Sequence, residues 1–387
     1  MMTLTERRSI RILQVVGGMD RGGTETWLMH VLRHIDRDRF QIDFLVHTKD
    51  KCAYDEEIIA LGSQIIPCLD PSKPWLYARN FKQIMRECSP YDIIHSHIHH
   101  FSGYVLYLAR QVGIPMRIAH SHLDTLQLDA SSRFLRRAYL KLMKQWIARH
   151  TTIGLAASRK AAVALFGSTW NTDPSRQVLH CSVDLTPFQH IASLDPVAVR
   201  AELGIPEDTF VIGHVGRFFP QKNHAFLVEV AAEVAKREPK MRLLLVGDGL
   251  LRPSIERKVT QLDLSDRVIF TGSRSDVPRL MLGAMDIFLF PSLYEGLGLV
   301  LIEAQAAGLH CIFSDVVPEE ADAIKPLMRR MSLSQPAAIW AEAILALRQA
   351  RSESDRVEAL QLVEQSSFSI RNNIKTLEKL YLECFQY

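Results

Sequence analysis

The chain has 387 residues, 47% of them hydrophobic and 23% charged, with a formal net charge of +3. That length is too great for one ordinary core and predicts two domains, and the composition excludes disorder and low complexity. The small net charge excludes a globally basic nucleic-acid binder, so no nucleic-acid partner is expected and any basic surface has to be local.

The six cysteines, at 52, 68, 88, 181, 311 and 384, show no C-x-x-C and no paired spacing, which predicts reduced thiols in a cytoplasmic setting. "IRILQVV" (10–16) is too short for a signal-peptide core, and no apolar run approaches the ~18 residues that cross a bilayer. Contact with a membrane is therefore expected only from the surface, at its inner face.

In chain order, short apolar runs rich in β-branched residues alternate with longer stretches of helical period, the pattern of parallel sheets wound with helices. The first half places strands at "IRILQVV" (10–16), "QIDFLVH" (41–47), "YDIIHSH" (91–97) and "MRIAHSH" (116–122). Behind the first lies "GGMDRGGTETWLMHVL", where Gly22 and Gly23 precede Thr24 as an N-cap and an amphipathic helix. Such a turn either admits an anion to free amides or is an ordinary flexible connection. The second half repeats the layout with "FVIGHVG" (210–216), "MRLLLVG" (241–247), "RVIFTG" (267–272), "DIFLFPS" (286–292) and "HCIFSD" (310–315). Turn residues cluster at 184–196, so the domains are expected to meet near residue 190. Ligands of open α/β sheets bind at the carboxyl ends of strands, and two such sheets facing each other would enclose an interdomain cleft.

Arg217 and Lys222 follow strand 210–216 in "GRFFPQKNH". A guanidinium fork beside a mobile ammonium at a strand end suits a diphosphate, where surface salt bridges are the bland alternative. Farther on, "PSLYEGLGLVLIEAQAAG" (291–308) carries Glu295 in a loop and Glu303 on the second turn of a helix over 298–307. Eight helical steps already span about 12 Å, beyond the roughly 5–9.5 Å of a carboxyl pair acting on one glycosidic bond. The two carboxylates are thus expected to grip different parts of one elongated ligand, with Gly296 and Gly298 baring amides toward phosphate.

"VGRFFPQKNH", "LLLVGDG", "FTGSRSDV", "DIFLFPSLYEGLGLVLIEAQAAG", "GGMDRGGTET" and "DIIHSH" together resemble the family 4 retaining glycosyltransferases, and among these the transferases of bacterial exopolysaccharide and capsule gene clusters. The resemblance implies an α/β fold of the GT-B type, with two facing Rossmann-like domains. It implies an acceptor-binding domain over 1–190, a nucleotide-sugar-binding domain over 191–365, and a C-terminal helix at 366–387 that crosses back to the first. It implies that Glu303 binds the donor ribose and that Glu295 contacts the donor sugar. Arg217 and Lys222 would hold the diphosphate, supported by Gly22, Gly23, Gly298 and the amides of Leu299 and Val300. The co-substrate would be a UDP- or GDP-sugar and the acceptor a glycan or lipid-linked hydroxyl. No cofactor and no metal are expected, since the Arg/Lys pair supplies the positive charge and no D-x-D closes a strand.

Histidines 95, 97, 99, 100, 120 and 122 crowd the strand ends of the first half. Alternation points His95 and His97 to one face, but no thiol or carboxylate is expected to complete a metal set. The resemblance implies a catalytic histidine beside donor sugar and acceptor, best matched by His122 with His120 as the fallback, and His97 on the acceptor side.

Residues 130–172 carry eight Lys or Arg and no acid. Their core, "SSRFLRRAYLKLMKQWIARH" (131–150), interleaves basic and apolar residues. It reads either as an interfacial helix for anionic lipid or as a packed helix with a solvated basic face.

Three positions depart from the family pattern: Cys181 and Ser182 stand where Asn-Gly is usual, which puts the usual tight turn there in doubt because serine tolerates positive φ poorly beside glycine, and His310 stands where proline is common. A nucleotide-sugar 2-epimerase on the same fold and a non-catalytic sugar-nucleotide-binding subunit are the alternative functions.

Overall fold

The computed structural model of the chain describes residues 8–88, 90–189, 194–348 and 353–383. It divides into two units, Met1–Cys181 with Ile370–Tyr387, and Ser182–Ser369. The break thus falls at 181/182 and at 369/370. The turn cluster expected to hold the boundary runs into residues 190–193, which lie outside those described.

The first unit is a parallel sheet of seven strands: β1 (Ile10–Val16), β2 (Phe40–Val46), β3 (Ile65–Pro67), β4 (Ile93–Ser96), β5 (Met116–Ser121), β6 (Ile153–Ala156) and β7 (Arg176–Val178). Their spatial order is β3-β2-β1-β4-β5-β6-β7. β1 and β4 are the neighbours at which the winding reverses, so the crevice beyond their carboxyl ends is the place for a ligand. Strands covered on both faces read as continuous apolar runs, and Leu13, Val15, Leu45, Ile94 and Ala119 are buried against Phe81, Leu106 and Leu108 of the flanking helices.

The helix Ile370–Glu383 belongs to this unit and packs on the helix Gly23–His34. Trp27, fully buried, donates from Nε1 to Asn373 Oδ1 at 3.0 Å. The helices Ser102–Gln111 and Phe134–His150 pack closely because Gly103 lacks a side chain: a Cβ there would stand 2.5 Å from the Met143 carbonyl oxygen.

The second unit is a six-stranded parallel sheet in the order β10-β9-β8-β11-β12-β13. Its strands are β8 (Phe210–Val215), β9 (Met241–Val246), β10 (Val268–Gly272), β11 (Ile287–Phe290), β12 (His310–Ser314) and β13 (Met328–Met331). Here the winding reverses between β8 and β11. Ile212, Leu243, Leu245, Leu289 and Ile312 form its core with Leu227, Val230 and Val234 of the helix His224–Ala235 and with Trp340.

Four strands are absent from the sequence-based expectation. β3, β6 and β7 have three, four and three residues, and β13 reads Met-Arg-Arg-Met. β3, β7 and β13 lie at sheet edges and offer no run long or apolar enough to stand out, while the interior β6, apolar as Ile-Gly-Leu-Ala, is only four residues long. Ser182, whose turn was in doubt, does not adopt positive φ. The chain there bonds instead from Val183 N–H to the Phe368 carbonyl at 2.8 Å.

Candidate active site

In the second unit, a 3-10 turn (Pro220–Lys222) follows β8, and Asn223 at φ 54°, in the left-handed region, redirects the chain into the helix His224–Ala235. This turn is strapped to the loop after β11. Leu293 N–H donates to the Gln221 carbonyl at 2.8 Å. Gln221 Nε2 donates to the Tyr294 carbonyl at 2.9 Å and to Glu295 Oε2 at 3.2 Å. Lys222 Nζ stands 2.6 Å from Glu295 Oε1, the two side chains 17% and 6% exposed. The same ammonium lies 4.6 Å from the centroid of the Phe290 ring. Arg217 is exposed, its guanidinium 5.4 Å from the Phe219 centroid, and it has no hydrogen-bond or ion-pair partner among the described residues.

The loop turns into the helix Leu299–Ala306 at Gly298, whose φ of 86° and ψ of 61° suit glycine alone among ordinary residues. No side chain caps this helix, and its first bond runs from Leu301 N–H to the Gly298 carbonyl. The amides of Leu299 and Val300 precede that bond and face outward with the positive end of the helix dipole. Glu303, one turn further on, keeps some accessible surface and has no side-chain partner among the described residues. Burial alone pushes its carboxyl up to about 7.

In the first unit, the expected cap is displaced. Gly22, extended at φ −140° and ψ 166°, is the N-cap of the helix Gly23–His34, and Thr24 lies within its first turn because the helix starts two residues earlier. With glycine as the cap, no side chain occupies the amides there, and a Cβ on Gly23 would meet nothing within 4 Å.

The histidines form a connected chain. His97 Nε2 is 2.7 Å from Gln14 Oε1, and an amide oxygen only accepts, so His97 is the Nε2–H tautomer. His97 Nδ1 then accepts from His122 Nε2–H at 2.8 Å, and His122 Nδ1 accepts from the Cys181 thiol at 3.3 Å. On the other side, Gln14 Nε2 donates to Tyr381 Oη at 3.3 Å, and Tyr381 donates to His95 Nδ1 at 2.9 Å. His95 Nε2–H donates to His120 Nδ1 at 3.2 Å. That leaves His120 with its proton on Nε2, buried without a hydrogen bond of good geometry, the Leu179 carbonyl being the backbone group that favours the protonated form. One direction of donation thus fixes every tautomer from Cys181 to His120. Burial holds His122 down to about 3, and burial with the neighbouring imidazoles holds His95, His97 and His120 well below the ordinary range. All four rings are therefore neutral near pH 7.

The expectation that no thiol completes a metal set is corrected here. The Cys181 sulfur joins His120 and His122 in a compact group because the chain beyond β7 returns beside β5, 59 residues after His122.

Residues 21–185 match the profile of Glycosyltransferase Family 4, and residues 198–360 that of Glycosyl transferases group 1. Over 374 residues, 96% of each chain, the sequence is 36% identical to EpsF of Bacillus subtilis (strain 168), a protein named as a glycosyltransferase. The chain is a family 4 glycosyltransferase. It is also 29% identical, over 58% of each chain, to an Escherichia coli UDP-Gal:alpha-D-GlcNAc-diphosphoundecaprenol alpha-1,3-galactosyltransferase. The transferase has the GT-B fold of Anabaena HepE, solved with UDP and glucose (TM-score 0.78, 19% identity, 96% of this chain and 99% of that one). Sucrose-phosphate synthase from Thermosynechococcus elongatus shares the fold at a TM-score of 0.79 and 21% identity, over 97% and 99% of the two chains.

Each unit of the transferase gathers its own expected residues. Arg217, Lys222, Glu295, Gly298, Leu299, Val300 and Glu303 line the strand ends at the β8/β11 reversal, and Gly22, Gly23, His97, His120 and His122 those at the β1/β4 reversal. His97 and His122 retain accessible surface, whereas His95 and His120 are fully buried. Sequence reasoning missed Gln14, Gln221, Cys181 and Tyr381. Gln14 did carry a signal, as the one uncharged polar residue inside an otherwise apolar strand apart from Arg11 at its start.

The helix Phe134–His150 is packed over its second half and exposed over its first turns. Leu140, Met143 and Ile147 are buried, and Trp146 stacks on Tyr107 at 4.8 Å. Its opening turns instead leave Phe134 75% and Leu135 82% exposed beside exposed Arg133, Arg136, Arg137 and Lys141. No helix among the described residues is long and apolar enough to cross a membrane.

Proposed function

We propose that this transferase is a retaining enzyme that moves a sugar from a UDP- or GDP-sugar to a hydroxyl of a glycan or lipid-linked acceptor, in the synthesis of bacterial exopolysaccharide, capsule or another cell-surface glycan. One observation carries this reading. At the β8/β11 strand ends stand, among the described residues, a guanidinium with no hydrogen-bond or ion-pair partner, an ammonium paired with Glu295 beside the Phe290 ring, two uncapped amides and a carboxylate with no side-chain partner. That set matches a nucleoside diphosphate: positive groups and amides for the two phosphates, a carboxylate for ribose hydroxyls.

In this scheme Arg217, Lys222 and the amides of Leu299 and Val300 hold the diphosphate, Glu303 accepts from the ribose, and Glu295 turns to the sugar hydroxyls. The first unit supplies the acceptor side through His97 and His122, with Gly22 and Gly23 open to the phosphates. His122, neutral and donating or accepting according to its ring position, lies beside the sugar; His120, fully buried, supports it. No carboxylate serves as nucleophile. The acceptor oxygen attacks the anomeric carbon on the face that the diphosphate leaves, and a departing phosphate oxygen takes the acceptor proton. Arg217 and Lys222 stabilise the developing charge without a metal ion. The exposed Phe134, Leu135 and surrounding basic residues of 131–150 would bring the enzyme to an anionic inner leaflet. The HepE complexes with UDP and the undecaprenol-linked acceptor named for the Escherichia coli relative support the donor and acceptor classes.

The test is a panel of UDP- and GDP-sugars incubated with purified protein, with and without lipid-linked saccharides, followed by NMR of the anomeric protons. The expected result is acceptor-dependent transfer with retained configuration, lost in Arg217→Ala. Epimerisation of a donor alone, with no transfer, would overturn the assignment.

A further inference from the structure

We propose that His120, His122 and Cys181 form a binding site for one soft divalent transition-metal ion of the zinc or cobalt class, in the polar core of the first unit. Each side chain offers one ligand atom, and these atoms all lie within 4.8 Å of one another. His120 and Cys181 are buried and His122 is half-buried. Two imidazoles and a thiol without a carboxylate are the donor set of a borderline-soft cation, not of magnesium or calcium.

The atoms required are the ones free to serve. His122 Nδ1 presents a lone pair toward Cys181 Sγ at 3.3 Å, and among the described residues His120 Nε2 has no hydrogen bond of good geometry. The remaining nitrogens are held from behind, His122 Nε2 on His97 at 2.8 Å and His120 Nδ1 on His95 at 3.2 Å. Second partners of this kind orient metal-binding imidazoles. The neighbouring trio His95, His97 and His120 is the weaker candidate. Gln14, Tyr381 and the other imidazoles already occupy most of its nitrogens, and it holds no thiol.

On binding, the metal–sulfur bond replaces the S–H bond and the thiol proton leaves to solvent. His120 passes from the Nε2–H to the Nδ1–H tautomer and His95 from Nε2–H to Nδ1–H, so that His120 donates to His95 Nε2, His95 donates to Tyr381 Oη, and the tyrosine hydroxyl proton turns away from His95. Three protein ligands leave the fourth tetrahedral position open. An occupied site commits both nitrogens of His122, so the metal would compete with the acceptor-side role proposed for that residue. That consequence rests on the proposed function, while the site itself does not.

The test is titration of the metal-free protein with Co²⁺, followed by absorption spectroscopy. The expected result is a thiolate-to-cobalt charge-transfer band in the near ultraviolet that saturates at a single equivalent and is abolished by Zn²⁺. Cys181→Ser should lose the band and bind cobalt more than about tenfold more weakly. His120→Asn, which keeps the thiol, should weaken binding similarly while retaining the band at high cobalt. Circular dichroism establishes that each variant is folded. Absence of the band in wild-type protein, or a band unchanged in either variant, overturns the site whatever the transferase assay gives.

Discussion

Lys222 and Glu295, 73 residues apart in the chain, pair at 2.6 Å across the reversal point of the second sheet. An ammonium so held cannot also meet a phosphate at full strength. In the proposed function, donor binding exchanges one anion for another at Lys222 and releases Glu295 toward the sugar.

Replacing Glu295 by Gln removes the resident anion and leaves Lys222 free. Affinity for UDP or GDP should stay level or rise by up to about tenfold, since 1.4 kcal/mol of relieved competition is one decade. Turnover should fall by on the order of 10²-fold, as the sugar contact weakens. Titration calorimetry beside steady-state rates reads both, and weaker nucleoside diphosphate binding would remove the exchange.

Arg217→Ala should separate function from stability. The residue is exposed and has no hydrogen-bond or ion-pair partner among the described residues, so the melting temperature should change by no more than about 0.5 kcal/mol allows. Removing one charge-stabilising donor should lower kcat by roughly 10²–10³. A variant that turns over normally would take Arg217 out of the phosphate grip.

Glu303 makes a pH-dependent prediction whose sign follows from burial. Its carboxyl is raised from 4.5 to about 7, so the folded protein retains a proton that the unfolded chain releases. The stability this gives is complete below pH 4.5 and is lost as pH rises through 7. Glu303→Gln should therefore melt higher than wild type at pH 8, by on the order of 2 kcal/mol, and equally at pH 4. In wild type, nucleoside diphosphate affinity should grow between pH 6 and 8 as the carboxylate proposed to bind ribose forms, a growth absent from the Gln variant. Thermal melts and calorimetry at three pH values check both.

Tyr381→Phe interrupts the donor chain between Gln14 and His95. Both groups lose their partner in a buried setting, at a cost of about 1–3 kcal/mol. Nitrogen-15 shifts of the imidazoles should report mixed tautomers at His95, where wild type is predicted to show Nε2–H alone. A single unchanged tautomer would mean that Tyr381 does not set it.

Phe134→Ser combined with Leu135→Ser should abolish sedimentation with anionic vesicles while leaving the fold intact, because both side chains are exposed. Wild type should be released by salt, each basic residue of the segment contributing about 1 kcal/mol. Equal sedimentation of the double variant would exclude this turn as the membrane contact.

Much of the fold could be read from residue order, and for a physical reason. Central parallel strands are buried on both faces and announce themselves as apolar runs, as "MRLLLVG" and "DIFLFPS" do. β7, reading Arg-Gln-Val at an edge, carries no such demand and gives no such signal. The site divides in the same way. Arg217, Lys222, Gly298 and Glu303 are legible because each follows a recognisable strand and its role depends on local geometry. The Lys222–Glu295 pair and the Cys181–His122 contact are not, since each depends on which strands end up adjacent. Cys181 looked like a departure in a turn, and only the return of the chain past β7 puts its sulfur beside an imidazole.

The helix Ile370–Glu383 completes the first unit although the whole second unit is made in between. At about 5–20 residues per second on the ribosome, the intervening segment takes roughly 10–40 s to synthesise. For that interval Trp27 lacks Asn373, and Gln14 and His95 lack Tyr381. The second unit, contiguous in sequence, can fold as it emerges, while the first waits in the nascent chain with its polar centre uncovered. His95 and His120, whose protons Tyr381 places, take their fixed tautomers only when that last helix docks, so the order of synthesis holds the finished first unit behind the second.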